Sequence, residues 1–214
     1  KTQSVPANWF TEDFLSRALN TKYLLVGDDF RFGRGREGDF ELLEKAGSEK
    51  GFEVERAQTL EFEGERISSS RVRESLANGD FELAKALMGR PYSIMGRVVY
   101  GRQLGRQLGV PTANVRLQRY RSALEGVYSV SVDGLDVGRK NGIANIGIRP
   151  TVGGKEPLLE VHLFDFSGDI YGHLISVTFH QKIRDEQQFA SIELLKAQIE
   201  KDIVQSQDWF LSNA

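Results

Sequence analysis

The sequence contains no cysteine, so it can form neither disulfides nor thiolate metal sites. It also lacks long apolar runs, since its longest apolar stretches are a handful of residues and a membrane helix needs about 20. These absences predict a protein without a membrane segment and are consistent with the cytoplasm. The formal net charge of −2 argues against a dedicated nucleic-acid binder.

Histidine is scarce and confined to the end of the chain, at His162, His173 and His180. Chemistry that needs histidine must therefore lie in the last quarter of the sequence or be absent. The first residue is Lys1 rather than methionine, which predicts a fragment of a longer protein. A homo-oligomer is compatible with the sequence, which contains no feature that fixes the oligomeric state.

The first 90 residues alternate between helical and strand patterns, which predicts an α/β domain with a mainly parallel sheet. One helix is predicted over 11–19. Two more are predicted to begin after the capping residues Asp39 and Asp80 and to end at Gly51 and Gly89.

After Pro91 the pattern changes to short strands separated by glycine-rich turns, which predicts an antiparallel barrel or sandwich. We therefore predict two domains, residues 1–90 and residues 91–214. The chain closes with a predicted helix whose apolar stripe consists of Ile192, Leu195, Ile199 and Ile203.

The stretch GRQLGRQLGVPTANV, residues 101–115, places glycine at every fourth position. It is too polar for a packed membrane helix and lacks the Gly-Lys-Ser/Thr ending of a Walker A loop. An irregular loop remains, in which glycine permits close approach and exposed N–H groups can bind phosphate. Residues 91–124 contain no acidic residue and six arginines, including Arg102 and Arg106, which favours an anion. A surface loop with solvated arginines is the alternative.

Thr112 and Asn114 lie two residues apart, so on an extended backbone they point to the same side. A hydroxyl and an amide oxygen beside a polyphosphate suit Mg²⁺, which takes few protein ligands. Alternatively, both residues hydrogen-bond a turn.

Glu160 lies in LLEVHLFDF, where Leu159, Val161 and Leu163 alternate with it and are predicted to face the core. A carboxylate on the opposite face can accept a proton from a substrate hydroxyl. The alternative is an ordinary exposed strand face.

These motifs resemble the riboflavin kinase family. The resemblance rests on GRVVYGRQLGRQLGVPTANV, GVYSVSV, NGIANIGIRPTVGG, LLEVHLFDFSGDIYG and KIRDEQQF in this order. The upstream LLVGDDFRFGRGREGDFELL and ISSSRVRESLANGDFELAKALMGRPY resemble the later half of the FMN adenylyltransferase module. Together they are similar to the bacterial bifunctional riboflavin kinase/FMN adenylyltransferases, also called FAD synthetases.

The resemblance implies a partial Rossmann-like nucleotidyltransferase domain, followed by a six-stranded antiparallel β-barrel with a C-terminal helix. It implies transfer of the γ-phosphate of ATP, with Mg²⁺, to riboflavin, which gives FMN. In the family the Thr and Asn of the PTAN motif bind Mg²⁺–ATP, which points to Thr112 and Asn114. The glycine-rich segment covers the ATP phosphates, which points to Gly101, Gly105 and Gly109.

The glutamate of the family's EVH strand is the catalytic base, and here it is Glu160. The loop after the last barrel strand contacts flavin, which points to Arg184. In the other module, GDDFRFG and SSSR help to bind nucleotide. The residues so implicated are Gly27, Asp28, Phe30, Ser69 and Arg71.

The adenylyltransferase module normally begins with a strand and a His-x-Gly-His motif, yet no histidine precedes His162. The resemblance thus implies that the first part of this module is missing. We expect the chain as given to make FMN but not FAD, and a full-length parent to make both. An RNA-binding β-barrel is the rival hypothesis, because the arginine-rich edge lacks acidic residues.

Overall fold

The computed structural model describes residues 4–101, 105, 109–117, 122–151 and 154–213, with the backbone alone for 148–151 and 154–156. Arg102 and Arg106 of the glycine-rich stretch lie outside the described residues. The chain divides into two compact units, Lys1–Ile67 and Ser68–Ala214.

The first unit contains a two-stranded parallel sheet and the helices around it. Its elements are α1 (Ala7–Trp9), which continues as a π-helical segment (Phe10–Ala18), β1 (Tyr23–Gly27), a 3₁₀ turn (Arg34–Arg36), α2 (Phe40–Lys50), β2 (Glu53–Ala57), β3 (Glu61–Phe62) and β4 (Glu65–Arg66). The parallel pairing of β1 with β2 agrees with the predicted sheet type. Asp39 caps α2 by accepting a hydrogen bond from Leu42 N at 3.0 Å, and Gly51 ends it in the left-handed conformation, as predicted.

In the described residues, the second unit contains a closed six-stranded antiparallel barrel and the helices α3, α4 and α5. Its elements are α3 (Ser69–Ala77), α4 (Phe81–Met88), β5 (Ser93–Val99), β6 (Ala113–Val115), β7 (Gly126–Asp133), β8 (Lys140–Thr151), β9 (Gly154–Leu163), β10 (Leu174–Arg184) and α5 (Ile192–Ser212). The strand order around the barrel is β10-β5-β6-β9-β8-β7, which confirms the predicted barrel.

The two helices before the barrel pack onto its core. Phe81 of α4 meets Tyr128 edge-on at 5.8 Å and stacks on Phe179 at 6.4 Å between ring centroids. Residues 68–90 thus belong structurally to the second unit. Their assignment to the adenylyltransferase module, with a module boundary at residue 90, stays a prediction.

Helix α5 covers part of the outer surface of the barrel. Beneath it, Val127, Ile143 and Phe164 form a buried apolar cluster with Ile203 and Phe210 of the helix packed against it. The start of the predicted stripe does not take part, because Ile192 is 62% exposed. None of the described helices is long and apolar enough to cross a membrane.

Candidate active site

Five residues form one row across five consecutive strands of the barrel. Glu160 lies opposite Asn114 of β6 on one side and opposite Asn145 of β8 on the other. The row continues because Asn145 lies opposite Val127, and Val127 lies opposite Arg184. Paired residues in a sheet point to the same face, so these side chains share the outer face of the barrel. The row, in order, is Asn114, Glu160, Asn145, Val127 and Arg184.

Side chains along β9 alternate between the core and the outer face of the barrel, and this alternation directs the Glu160 side chain outward. Its neighbours Leu159 and Val161 are buried in the barrel core, which confirms the predicted faces of this strand. His162 lies two residues further on the same outer face, and its Nδ1 is 2.8 Å from the carbonyl oxygen of Pro111. This contact fixes the segment that leads into Thr112 against β9.

The glycines of the 101–115 stretch allow close approach, as the sequence predicted. A Cβ on Gly101 would collide with the Asn114 amide. One on Gly105 would collide with the Val110 carbonyl and lie 3.1 Å from Thr112 Oγ1. Gly109 has a φ of +83°, a conformation that favours glycine. Gly101 and Gly105 therefore lie directly against Asn114 and Thr112 of the PTAN motif, and Asn114 is only 4% exposed.

A cavity of about 240 Å³ lies on the outer face of the barrel; we call it the helix-side cavity. Glu160, Asn145 and Glu186 line one part of it and provide oxygen and amide groups. Further polar groups come from Thr112, His162, Arg184, Gln187 and Asp202, and the apolar lining consists of Val110, Val127, Ile143, Ala144, Phe189, Leu195 and Ile199. The cavity is therefore amphipathic, with the predicted base among its polar lining residues.

Arg184 lines the same cavity, but its guanidinium is held by protein groups. Its Nε and Nη2 both lie 2.8 Å from Asp202 Oδ2, and its Nη1 donates to the Asp185 carbonyl at 2.9 Å. Asp202, on α5, also accepts a hydrogen bond from Gln198 at 2.8 Å. This buried ion pair links the end of β10 to the helix that forms one wall of the cavity.

A second cavity, of about 530 Å³, is lined by core-facing residues of the barrel; we call it the barrel-mouth cavity. Val98, Ala113 and Val161 line its inner part. Tyr100 and Tyr171 line it as well, with their rings stacked at 3.8 Å between centroids. Thr112 lines both cavities, so it marks the place where they adjoin.

Sequence reasoning missed Asn145, Glu186 and the Arg184–Asp202 pair. Asn145 stands in the quoted motif NGIANIGIRPTVGG, but its importance comes from its register with Glu160, which sequence alone does not give. Glu186 lies two residues after Arg184, in the loop for which flavin contact was predicted. A search for further polar residues in that loop would have found it.

The residues predicted for the adenylyltransferase module divide between the two units. Gly27 is the last residue of β1 in the first unit and Asp28 follows it, while Ser69 begins α3 in the second. The Asp28 carboxylate accepts a hydrogen bond from Thr59 at 2.7 Å and lies 3.1 Å from Arg66. The hydrogen bond from Thr59 lowers the pKa of Asp28; burial opposes this shift, and the charge of Arg66 adds a smaller lowering.

Two other predicted residues of this module have structural partners. Phe30 stacks with Phe32 at 5.7 Å between centroids, in the apolar cluster of the first unit. The backbone N–H of Arg71 donates to Ser68 Oγ at 3.2 Å, so the SSSR motif caps α3. A nucleotide-binding role for Phe30 and Arg71 stays a prediction.

Comparison with known proteins identifies two matching families. Residues 88–210 match the family model described as riboflavin kinase, and residues 1–71 match that described as FAD synthetase. The chain is 52% identical over 204 residues to the bifunctional riboflavin kinase/FMN adenylyltransferase of Pseudomonas fluorescens, covering 95% of this chain and 65% of the relative. The corresponding protein of Escherichia coli K12 is 51% identical over 207 residues, covering 97% of this chain and 66% of the relative.

A solved structure of a protein named macrolide-efflux protein, from Streptococcus pneumoniae, is also similar. It has a TM-score of 0.66 and 33% identity, and the match covers 94% of this chain and 64% of that one. The chain thus spans about 65% of the length of the curated relatives it matches. Since the riboflavin kinase model matches more than half of its residues, the chain belongs to the riboflavin kinase family.

Proposed function

We propose that this chain transfers the γ-phosphate of Mg²⁺–ATP to the 5′-hydroxyl of riboflavin and so produces FMN. The observation that carries the proposal is the position of Glu160, which faces the helix-side cavity between Asn114 and Asn145. Thr112 joins that cavity to the barrel-mouth cavity. Two adjoining cavities with a base near their junction suit transfer between two substrates.

Riboflavin fits the helix-side cavity by its chemistry. The flavin ring system is flat and has apolar faces, whereas its ribityl chain carries four hydroxyls. The apolar part of the cavity, with Phe189, Leu195 and Ile199, suits the ring. The polar part, with Glu160, suits the end of the chain where the reacting hydroxyl lies.

The nucleotide base fits the barrel-mouth cavity, where the stacked pair Tyr100 and Tyr171 offers an aromatic surface. The glycine segment then covers the phosphates above Thr112, where Gly105 borders the helix-side cavity. We assign backbone N–H groups of this segment to phosphate oxygens.

The donor set around Thr112 fits Mg²⁺. The hydroxyl of Thr112 and the amide oxygen of Asn114 are neutral oxygen donors, and Glu160 lies opposite Asn114. Such a set suits an ion that fills its shell with water and phosphate oxygens. When bound, Mg²⁺ neutralises charge that develops on the phosphates.

Glu160 is the general base in this proposal. Its carboxylate accepts the proton of the 5′-hydroxyl as that oxygen forms a bond to the γ-phosphorus. The bond from the γ-phosphorus to the β–γ bridging oxygen breaks, and ADP leaves. Glu160 lies between Asn114 and Asn145 in the row, so the register of β9 with β6 and β8 sets the position of its backbone.

The RNA-binding alternative is not favoured, because the chain belongs to a kinase family. For the whole protein we propose a second activity, adenylylation of FMN to FAD, since the relatives are named as bifunctional. Gly27, Asp28, Phe30, Ser69 and Arg71 are its proposed nucleotide contacts. We propose a cytoplasmic location, where ATP is abundant.

The test is incubation of the chain with riboflavin and Mg²⁺–ATP, with chromatographic separation of FMN and FAD. We expect FMN and no FAD. Glu160→Gln keeps the shape of the side chain but removes the base, so turnover should fall by roughly 10²–10⁴-fold while both substrates still bind. Glu200→Gln, an exposed glutamate of α5, is the matched control. Near-normal turnover of Glu160→Gln excludes the proposed role.

A further inference from the structure

His162 links β9 to the segment that leads into the PTAN motif. The backbone ladder between β6 and β9 ends at the pair Ala113–Val161. One position further along β9, Nδ1 of the His162 ring lies 2.8 Å from the carbonyl oxygen of Pro111. The histidine side chain thus continues the attachment of the two segments beyond the residue at which β6 begins.

The chemistry of this contact defines what each partner contributes. A carbonyl oxygen only accepts hydrogen bonds, so Nδ1 of His162 carries a hydrogen and donates it to Pro111. Proline has no N–H, so this carbonyl is the one backbone group of Pro111 that can form a hydrogen bond. A single side-chain donor therefore holds the backbone immediately before Thr112 against β9.

The His162 ring is itself supported from the side. Glu160, His162 and Phe164 alternate with core residues and share the outer face of β9. The ring of Phe164 meets the His162 ring at 67° with 6.0 Å between centroids. Phe164 is buried in the apolar cluster beneath α5, so the packing of that helix supports the orientation of the imidazole.

Residues 110–112 connect the two parts of the site assigned to the phosphates. Val110 N donates to the Gly105 carbonyl at 2.8 Å, which attaches the glycine segment to this connection. A Cβ on Gly105 would lie 3.1 Å from Thr112 Oγ1, so the glycine backbone and the hydroxyl are close together. Between these two points, Pro111 is anchored by His162. The hydrogen bond from the histidine therefore sets the position of both parts.

We propose that His162 is a positioning residue for the phosphate donor, because its hydrogen bond to Pro111 holds Thr112 and the glycine segment in place for Mg²⁺–ATP. This inference rests on the proposed function, since it takes Thr112 as a contact of Mg²⁺–ATP. The imidazole acts through the backbone and exchanges no proton with either substrate. An amide that donates from the same place should therefore replace it.

The test compares His162→Ala, His162→Phe and His162→Asn. Asparagine Nδ2 is as many bonds from Cα as histidine Nδ1 and can donate to the same carbonyl. Phenylalanine keeps a ring beside Phe164 but has no donor. His162→Ala and His162→Phe should each lower kcat/KM for Mg²⁺–ATP by about 10-fold, the upper end of what a neutral hydrogen bond contributes. His162→Asn should restore most of this loss.

Binding of riboflavin is measured separately, because His162 also lines the helix-side cavity. Riboflavin affinity, followed by flavin fluorescence without ATP, should be the same in the unchanged chain and in all three variants. His173→Ala is the matched control, since it removes a histidine that is outside the lining of both cavities. It should change neither kcat/KM for Mg²⁺–ATP nor riboflavin affinity.

Three results would overturn the inference. The first is normal kcat/KM for Mg²⁺–ATP in His162→Phe, which retains the ring and so remains informative if His162→Ala does not fold. The second is a loss in His162→Asn as large as that in His162→Phe at an unchanged Tm. The third is an equal loss of riboflavin affinity, which would place the ring at the flavin. FMN formation by the unchanged chain is measured alongside, and its absence contradicts the proposed function instead.

Discussion

Replacing Asp202 by alanine should destabilise the second unit, because the largely buried guanidinium of Arg184 then loses its carboxylate partner. The Arg184 side chain is 15% exposed and that of Asp202 is 4% exposed, with two nitrogens of the guanidinium on one oxygen. Breaking a buried pair from one side costs about 3–5 kcal/mol. Arg184 keeps its bond to the Asp185 carbonyl and some contact with water, so we expect a loss of about 3 kcal/mol.

The assay is urea unfolding followed by the fluorescence of Trp209, which lies on α5 and stacks on His180 at 5.3 Å between centroids. Trp9→Phe removes the other tryptophan of the sequence. With a slope of about 1–3 kcal/mol per molar urea, the midpoint should fall by about 1–3 M. A double-mutant cycle with Arg184→Met isolates the interaction energy of the pair.

The matched control is Asp133→Ala. Asp133 pairs with Arg139 at 2.8 Å, with side chains 40% and 64% exposed, so its loss should cost less than about 1 kcal/mol. If Asp202→Ala costs no more than this control, the ion pair does not hold α5 to the barrel. The apolar cluster beneath the helix would then account for that attachment.

The remaining predictions concern substrates and pH. Arg184→Ala should raise the riboflavin KM more than the ATP KM in steady-state assays, and the reverse pattern would place the residue at the nucleotide. Asn114→Ala should weaken nucleotide affinity and turnover, with partial rescue by added Mg²⁺; a lowered Tm with normal nucleotide affinity would instead indicate a structural role. Burial, with a smaller effect of Arg139, lowers the pKa of His180. In the unfolded chain the pKa of this histidine is near 6.5, so the unfolded chain binds the proton more readily than the folded chain does. The free energy of unfolding should therefore fall as the pH drops below about 6.5. In urea unfolding, the stability of His180→Gln should depend less on pH than that of the unchanged chain. An identical pH dependence would contradict this reasoning.

Local features of the fold were predictable because their physical causes are local. Asp39 and Asp80 each accept a hydrogen bond from a backbone N–H three residues later, so sequence spacing alone identifies both helix starts. The alternation of β9 likewise assigned Glu160 to one face and Val161 to the core. The lack of a side chain on Gly101 predicted only that close approach is permitted, and the structure shows that Asn114 is the neighbour.

Contacts between distant segments were not predictable in this way. Asn145 becomes a neighbour of Glu160 only through the register of β8 with β9, which barrel closure fixes. Asp202 meets Arg184 because α5 returns over the outer face of the barrel, 18 residues along the chain. Flavin contact was predicted for Arg184, yet its guanidinium bonds to Asp202 and to the Asp185 carbonyl, which sequence gives no means of knowing.

The closed barrel also determines which changes in chain length the site can tolerate. Each of the six described strands is hydrogen-bonded to a neighbour on both sides, so none of them has a free edge along which it could shift. An insertion of one residue before Asn145 within β8 would reverse the facing of the later residues of that strand and direct the Asn145 side chain into the core. Single insertions and deletions within these strands should therefore disrupt the geometry of the row, whereas a substitution leaves the register of the strands in place. Length variation among related chains is expected in the turns, such as the one between β7 and β8, where residues 134–139 separate the strands.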